Sequence, residues 1–292
     1  MLTELEREKC GARPNAIDYD RVAGLHYLGN YVRRLPSNMA RMMENAYDWE
    51  HLPYVHPSSF ASIDLVESGK WGWRARIGVP GGLEPVYQML DLLVDSERNY
   101  WVSTVFNGPG EGIEIHTQAT TLNDEEIQVD VRFYVPEAPG DEAASAAILA
   151  YMQSQYATLY DEDIDLMQGR QSALEDRARW RSVDGAETMI KVGSEATMER
   201  TRTYSVETET GRYCIRWFDG AWIVHNAVCP HQLGPLQESP VDAEGRVTCP
   251  WHGYQFDIRT GESLTGDCPA LGPVPDLIER DGALFLVAPA TD

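Results

Sequence analysis

Two Cys/His pairs carry the strongest chemistry in this sequence: Cys229-x-His231 and, after a gap of seventeen residues, Cys249-x-x-His252, within VCPHQLGPLQESPVDAEGRVTCPWHGYQF. Pro and Gly flank both pairs, so each sits on a tight loop, and two such loops can pinch a metal centre between them. Four-ligand Cys/His sets usually indicate zinc, but zinc ribbons and fingers use C-x2-4-C knuckles or an H-x3-5-H pair on a helix. Here each loop mixes one thiolate with one imidazole. That mixture suits a [2Fe–2S] cluster in which two Cys hold one iron and two His the other, with a zinc site as the alternative.

A second constellation lies far upstream, Asn45-x-x-Asp48-x-x-His51-x4-His56 in ENAYDWEHLPYVHP. Ser37 is placed to cap a helix running from about Asn38 to Trp49. If that helix persists, Asp48 and His51 share a face, and Pro53 then breaks it so that His56 swings back. Taken alone this is a moderate signal, because His and Asp near a helix end are more often capping or surface groups. Two imidazoles and a carboxylate do, however, form an iron site with open positions in the iron oxygenases. A third ligand is readable downstream. Residues 141–180 contain a single Gly and no Pro, and Ile148, Met152, Tyr156 and Leu159 recur at helical steps. The same phase continues to Asp163, Leu166 and Met167, so Asp163 points inward while Asp161, Glu162 and Asp165 fall off the stripe. An inward carboxylate needs a partner to offset its desolvation, and an iron ion is such a partner. Asp163 is the expected ligand, with Glu162 or Asp165 in its place if the phase slips; the competing reading is an acidic run on a solvated face.

C-P-H followed by C-P-W-H-G resembles the Rieske signature, and N-x-x-D-x-x-H-x4-H is similar to the vanillate demethylase-like branch of the Rieske non-heme iron oxygenases. The segment DEDIDLMQGRQ also resembles the place where that family supplies its third ligand. The order is permuted relative to the family, which generally places the Rieske domain first. The resemblance assigns Cys229, His231, Cys249 and His252 to the cluster and His51, His56 and Asp163 to a mononuclear Fe(II). It gives Asp48 a catalytic bridging role, accepting from His51 on one side and from His252 on the other. In the family this bridge usually crosses between subunits of a ring of three, so a homo-oligomer, with a trimer favoured, is expected, although the permuted order also lets the two domains of one chain meet. High-potential Rieske proteins carry an extra Cys in each loop, where this chain has Gly234 and Trp251, and hydroxyl donors where it has Tyr254 and Phe256. A lower-potential, oxygenase-type cluster is implied.

The elements that must position these groups fall into an α+β class. Gly24–Leu35 reads as a strand, and segments near 60–66, 70–79, 85–95, 98–106, 111–121 and 126–135 follow, separated by turn signals. Ile127, Val129, Val131, Phe133 and Val135 alternate with polar residues, which marks a sheet with one face covered. A long helix then closes over it. The resemblance implies a helix-grip (START/SRPBCC-like) catalytic domain over 1–180, a linker over 181–200, and a small all-β Rieske domain over 201–292. Residues 1–20 read as polar and irregular. Trp71, Trp73, Tyr87, Trp101, Phe106, Ile115, His116 and Tyr134 are candidate pocket residues, each more often plain core, and His116 reads as a satisfied sheet histidine.

The 292 residues carry a net charge of −22, with −7 in residues 201–292 and −15 in the rest, which excludes phosphate-backbone binding. The sequence has no run of eighteen apolar residues and no basic–apolar leader pattern, so a cytoplasmic protein without a membrane span is expected. Three cysteines beyond the cluster, Cys10, Cys214 and Cys268, argue against a disulfide framework. The resemblance implies that electrons come from an NAD(P)H-linked reductase, directly or through a ferredoxin, and the chain lacks a Gly-rich nucleotide fingerprint, so that reductase is expected to be a separate protein. The function implied is a terminal oxygenase, a monooxygenase more readily than a dioxygenase. It would use O2 to hydroxylate or oxidatively demethylate a small organic substrate, aromatic compounds included. A Rieske electron carrier or ligand-binding protein with an empty mononuclear site, and a zinc-stabilised module, are the rivals.

Overall fold

The computed structural model describes residues 2–82, 84–180, 188–266 and 268–288, and the chain divides into two compact units, 1–168 and 169–292. In the first, strands β1 (His26–Leu35), β2 (Ser62–Gly69), β3 (Gly72–Val79), β4 (Val86–Asp95), β5 (Tyr100–Asn107), β6 (Glu114–Thr121) and β7 (Ile127–Val135) form one antiparallel sheet in the order β1-β7-β6-β5-β4-β3-β2. The alternation read in β7 is realised: Ile127, Val129, Val131 and Phe133 are fully buried. They pack with Leu35 and Met42 against Met152, Tyr160 and Met167 of the long helix α4 (Glu142–Trp180). This is the helix-grip arrangement, a sheet closed by one long helix. Ile148 departs from the expected stripe. It is 39% exposed, and Leu149, one residue on, takes the inward position and packs against the core of the sheet.

Residues 1–20 are not irregular throughout. Helix α1 (Glu4–Ala12) is closed by a capping box in which Thr3 and Glu6 satisfy each other's backbone N–H groups. It lies on the sheet through the Glu6–Arg76 ion pair, while just beyond it Arg13 pairs with the buried Asp91. Helix α2 (Met39–Tyr47) is capped by Asn38, whose side chain accepts from Arg41 N; Ser37, expected in that role, is buried.

In the second unit, β9 (Tyr204–Thr208), β10 (Gly211–Phe218) and β11 (Ala221–Asn226) form one sheet, β12 (Arg246–Thr248) and β13 (Gln255–Asp257) a hairpin. A third set joins β14 (Asp276–Arg280), β15 (Ala283–Ala288) and β8 (Thr188–Ser194). The expected linker over 181–200 is thereby corrected. Its first part, 181–187, lies outside the described residues, but β8 pairs with β15 and belongs to the small all-β unit. The reason is hidden from local pattern: β8 finds its hydrogen bonds in a strand almost a hundred residues later. The last turns of α4 also belong here, held by Arg212 donating to the buried Asp176 at 2.9 Å. Gly169 costs about 1 kcal/mol as a mid-helix glycine. It lets the Trp251 ring lie against the helix, where a Cβ would sit 3.0 Å from the indole.

Candidate metal centres

The helix expected to carry both Asp48 and His51 stops earlier. Asp48 is the C-cap of α2, and His51 is the N-cap of a separate short helix, α3 (Leu52–Val55), with His56 as its C-cap. Pro53 therefore starts a helix instead of breaking one, in the first-turn position where its missing N–H costs nothing. The outcome for the side chains is the convergence expected. His51, His56 and Asp163 are all buried and can each offer a ligand atom within 4.8 Å of the others.

The way the two imidazoles are held is informative. His56 Nδ1 meets Glu162 Oε2 at 2.7 Å and its Nε2 meets Asp163 Oδ1 at 3.0 Å. His51 repeats this at longer range, Nδ1 to Asp48 Oδ2 and Nε2 to Asp163 Oδ1, both 3.6 Å. Each ring thus turns Nδ1 to an outer carboxylate and Nε2 to the shared one. Metal-bound histidines are oriented in this way, the outer carboxylate fixing the tautomer. Neither nitrogen of the buried His51 ring reaches hydrogen-bonding distance of a partner. A cation among the three groups would satisfy it, so the residues fit a mononuclear iron. Asn45, read only as part of the motif, has a definite part: its Nδ2 donates to Asp163 Oδ1 at 2.8 Å. Glu162, the alternative ligand, is instead the partner of His56, and Asp165 is exposed.

Burial disfavours the His51 imidazolium, but Asp163 and Asp48 outweigh it and raise its pKa to about 9 in the metal-free pocket. Burial likewise opposes ionisation of Asp163, yet the two histidines hold its carboxyl well below the usual range. The His51 value lies above the 6.5 of a free imidazole, so the stabilisation is full below pH 6.5 and is lost as pH rises through 9. Iron-free protein should accordingly melt at progressively lower temperature between these values, losing at most about 3 kcal/mol. A flat melting temperature in iron-free samples scanned over this range would refute the charged pair.

A cavity of about 110 Å³ opens beside the three groups, walled by Met42, Phe60, Trp73, Leu90, Trp101 and Tyr156, with Ser103 supplying a hydroxyl. Of the candidate pocket residues only Trp73 and Trp101 line it. Trp71 and Phe106 lie against the Arg74 guanidinium, Tyr87 lies under Arg76, and His116 is bonded to Tyr100 and Glu114. Among the described residues no Lys or Arg lines it.

In the second unit the two Cys/His loops share one backbone pattern. Cys229 N–H donates to Gly234 O, and Leu233 N–H donates to Cys229 O. Cys249 N–H donates to Tyr254 O, and Gly253 N–H donates to Cys249 O. The position four after each Cys has positive φ, Leu233 at 65° and Gly253 at 70°. Both cysteines are buried, and the His231 and His252 rings stand edge-on with centroids 4.5 Å apart. The Cys229 thiol donates to Cys249, which together with His252 and the backbone N–H groups of Trp251 and His252 lowers the Cys249 pKa; that neighbouring charge and burial raise the Cys229 value. The pair gives up its first proton more readily than its second. A Cβ on Gly234 would lie 2.6 Å from Cys249 Sγ, so the loop is cut to leave the sulfur room. The donors fit a two-Cys, two-His cluster. The five cysteines form no disulfide.

Comparison with known proteins agrees. Residues 188–277 match the Rieske [2Fe-2S] domain family. "Flavonoid 8-hydroxylase 2, chloroplastic" of Ocimum basilicum is 30% identical over 102 residues, 34% of this chain and 18% of that protein. "Pheophorbide a oxygenase, chloroplastic" of Arabidopsis thaliana is 39% identical over 49 residues, 16% of this chain and 9% of that one. The matched stretch therefore spans less than a fifth of either relative. Among solved structures, the Zhui aromatase/cyclase from Streptomyces sp. R1128 aligns at 15% identity and a TM-score of 0.42, over 50% of this chain and 96% of that one.

The chain thus joins a helix-grip domain to a region, residues 188–277, that matches the Rieske [2Fe-2S] domain family, in the order read from the sequence. The similarity to the hydroxylase and the oxygenase lies in short stretches of 102 and 49 residues. Among the described residues no helix is long and apolar enough to cross a membrane.

Proposed function

We propose that this chain is the terminal component of an oxygenase, taking electrons from a separate reductase or ferredoxin and using O2 to oxidise a small neutral organic molecule. The observation that carries the reading is the paired orientation of His51 and His56, each with Nε2 toward Asp163 and Nδ1 toward its own carboxylate. Bound there, iron would supply oxygen activation, and the cluster would supply electrons one at a time.

The chain's own residues would do the rest. His51, His56 and Asp163 hold the metal, while Glu162 and Asp48 fix the two rings. Asp48 in this reading also has the bridging role toward the cluster, and a trimer is the assembly we favour. Trp73, Trp101, Phe60 and Leu90 exclude water and seat an apolar body, with Ser103 able to orient one polar substituent. A cavity of comparable size admits a single benzene ring. Among the described residues no Lys or Arg lines the cavity, so apart from the metal site itself an aromatic carboxylate would find no side-chain cation to pair with, which argues against an acid of the vanillate kind.

Two measurements test the proposal together. Iron and acid-labile sulfide analysis of anaerobically reconstituted protein should find mononuclear iron in addition to the cluster; cluster iron alone would return the chain to the electron-carrier reading. Asp48→Asn should keep both centres and lose roughly 10–100-fold in turnover, as for an outer metal partner. Full turnover by iron-replete Asp48→Asn would remove Asp48 from the mechanism.

A further inference from the structure

On the face of β5 opposite the cavity lies a second set of titratable side chains that the oxygenase reading does not use. Trp101 lines the cavity and is 6% exposed. Tyr100, one residue earlier, projects to the other face, as strand alternation requires. There its Oη lies 2.7 Å from His116 Nδ1, and His116 Nε2 lies 3.1 Å from Glu114 Oε2. Both His116 and Glu114 are 2% exposed, and Arg21 pairs with the other Glu114 oxygen. Beyond Tyr100 the Tyr19 ring follows, with centroids 5.6 Å apart. Tyr19 is 39% exposed, donates its hydroxyl to Asp95 Oδ2 at 2.6 Å, and lies under the Arg98 guanidinium.

Three oxidisable rings therefore run in order from the cavity wall to the surface, and each phenol has its own proton acceptor. This matters because a phenol that loses an electron also sheds its proton, and oxidation is easy only where that proton has somewhere to go. We propose that Trp101, Tyr100 and Tyr19 form a path that carries one-electron oxidising equivalents away from the cavity when oxygen or peroxide is activated without substrate. The proposal rests on the iron reading above, and its oxidant is the cavity iron after reaction with O2 or hydrogen peroxide.

The steps balance. Trp101 gives up one electron toward the cavity and is refilled by Tyr100, whose phenolic proton moves along the hydrogen bond to His116 Nδ1. The product is a neutral tyrosyl radical beside an imidazolium held by Glu114. Tyr19 then passes one electron to Tyr100 and its proton to Asp95, while His116 returns the first proton to Tyr100. At the surface a soluble reductant of the thiol or ascorbate class donates one electron to Tyr19, and Asp95 returns the second proton. Tyr19 and Glu114 also fasten residues 19–21 to the sheet, but that fastening uses neither the Tyr100 hydroxyl nor its acceptor.

The test is to mix reduced, metal-loaded protein with hydrogen peroxide without substrate, freeze it within milliseconds to seconds, and record electron paramagnetic resonance. Wild type should give a tyrosyl radical. Tyr100→Phe should lose it and accumulate oxidation on Trp101 and Met42 by peptide mass spectrometry, while Tyr19→Phe should keep it with a longer lifetime. Identical spectra and identical Trp101 oxidation in all three proteins would overturn the path. Peroxide consumption unchanged in Asp163→Asn would instead count against the iron site. The path is read independently of iron by oxidising metal-free protein with photogenerated ruthenium(III) tris(bipyridine). The hole should enter at Tyr19 and be shared with Tyr100, so that Tyr100→Phe changes the radical spectrum; an unchanged spectrum overturns the proposal there as well.

Discussion

Asp163→Asn is expected to strip the mononuclear iron from the chain while leaving the cluster and its sulfides in place, and with the iron to abolish turnover. Asp163 Oδ1 faces His56 Nε2 at 3.0 Å, His51 Nε2 at 3.6 Å and accepts from Asn45 Nδ2 at 2.8 Å, so this one oxygen is where the donor set converges. Asparagine preserves shape and removes the charge that binds a divalent cation. The loss of affinity should exceed the roughly 10–100-fold that follows loss of an outer partner. The fold should survive, because an amide can still meet neutral imidazoles. A second readout separates ligand loss from general damage. Without the carboxylate only Asp48 opposes the effect of burial at His51 and its pKa falls from about 9, so the pH-dependent melting of the iron-free protein should shrink as the iron is lost. The check is iron and sulfide analysis beside melting scans. Full iron retention would move the ligand role to Glu162, which stands at His56 Nδ1.

Gly234→Val should remove the [2Fe–2S] cluster as completely as deleting a ligand. The φ of Gly234 is not in the left-handed region, so the objection to a side chain is spatial: its Cβ would stand 2.6 Å from Cys249 Sγ and 3.2 Å from the Trp251 ring. Neither neighbour can yield. Cys249 is fixed by its N–H donating to Tyr254 O, and Trp251 is packed between this loop and the glycine of α4. The branched side chain must therefore displace the sulfur. The expected result is colourless protein after reconstitution, with a second unit that melts earlier, while the mononuclear site still takes up iron. Wild-type visible absorption and sulfide content in this variant would show that the loop opens more easily than its hydrogen bonds imply.

Much of this molecule is written in local pattern. The alternation from Ile127 to Val135 fixes which face of β7 is covered, and the phase running to Leu166 and Met167 carries Asp163 inward. Both are single-element periodicities that burial enforces. Features that depend on distant partners were hidden. The irregular-looking start holds a capped helix, and the apparent linker holds β8, whose pairing partner is the last strand. Pro53 was read as a breaker because proline interrupts helix interiors, but at the first turn of α3 it is favoured, and only the position of the preceding helix end decides between the two.

The sequence alone determined the chemistry: residue types at Cys229, His231, Cys249 and His252 admit a mixed thiolate–imidazole cluster, and His51, His56 and Asp163 supply two imidazoles and a carboxylate. Spacing sufficed, since ligand identity is a property of side chains. Tertiary structure alone decided orientation and environment. It turned Glu162 from a candidate ligand into the partner of His56, gave Asn45 its bond to Asp163, and, among the described residues, lined the cavity with neither Lys nor Arg. It also set Trp101 and Tyr100 on opposite faces of one strand with the Glu114–His116 pair behind them. Which nitrogen faces a metal, and what stands behind it, depends on atoms brought together from strands and helices a hundred residues apart, and no local pattern encodes that.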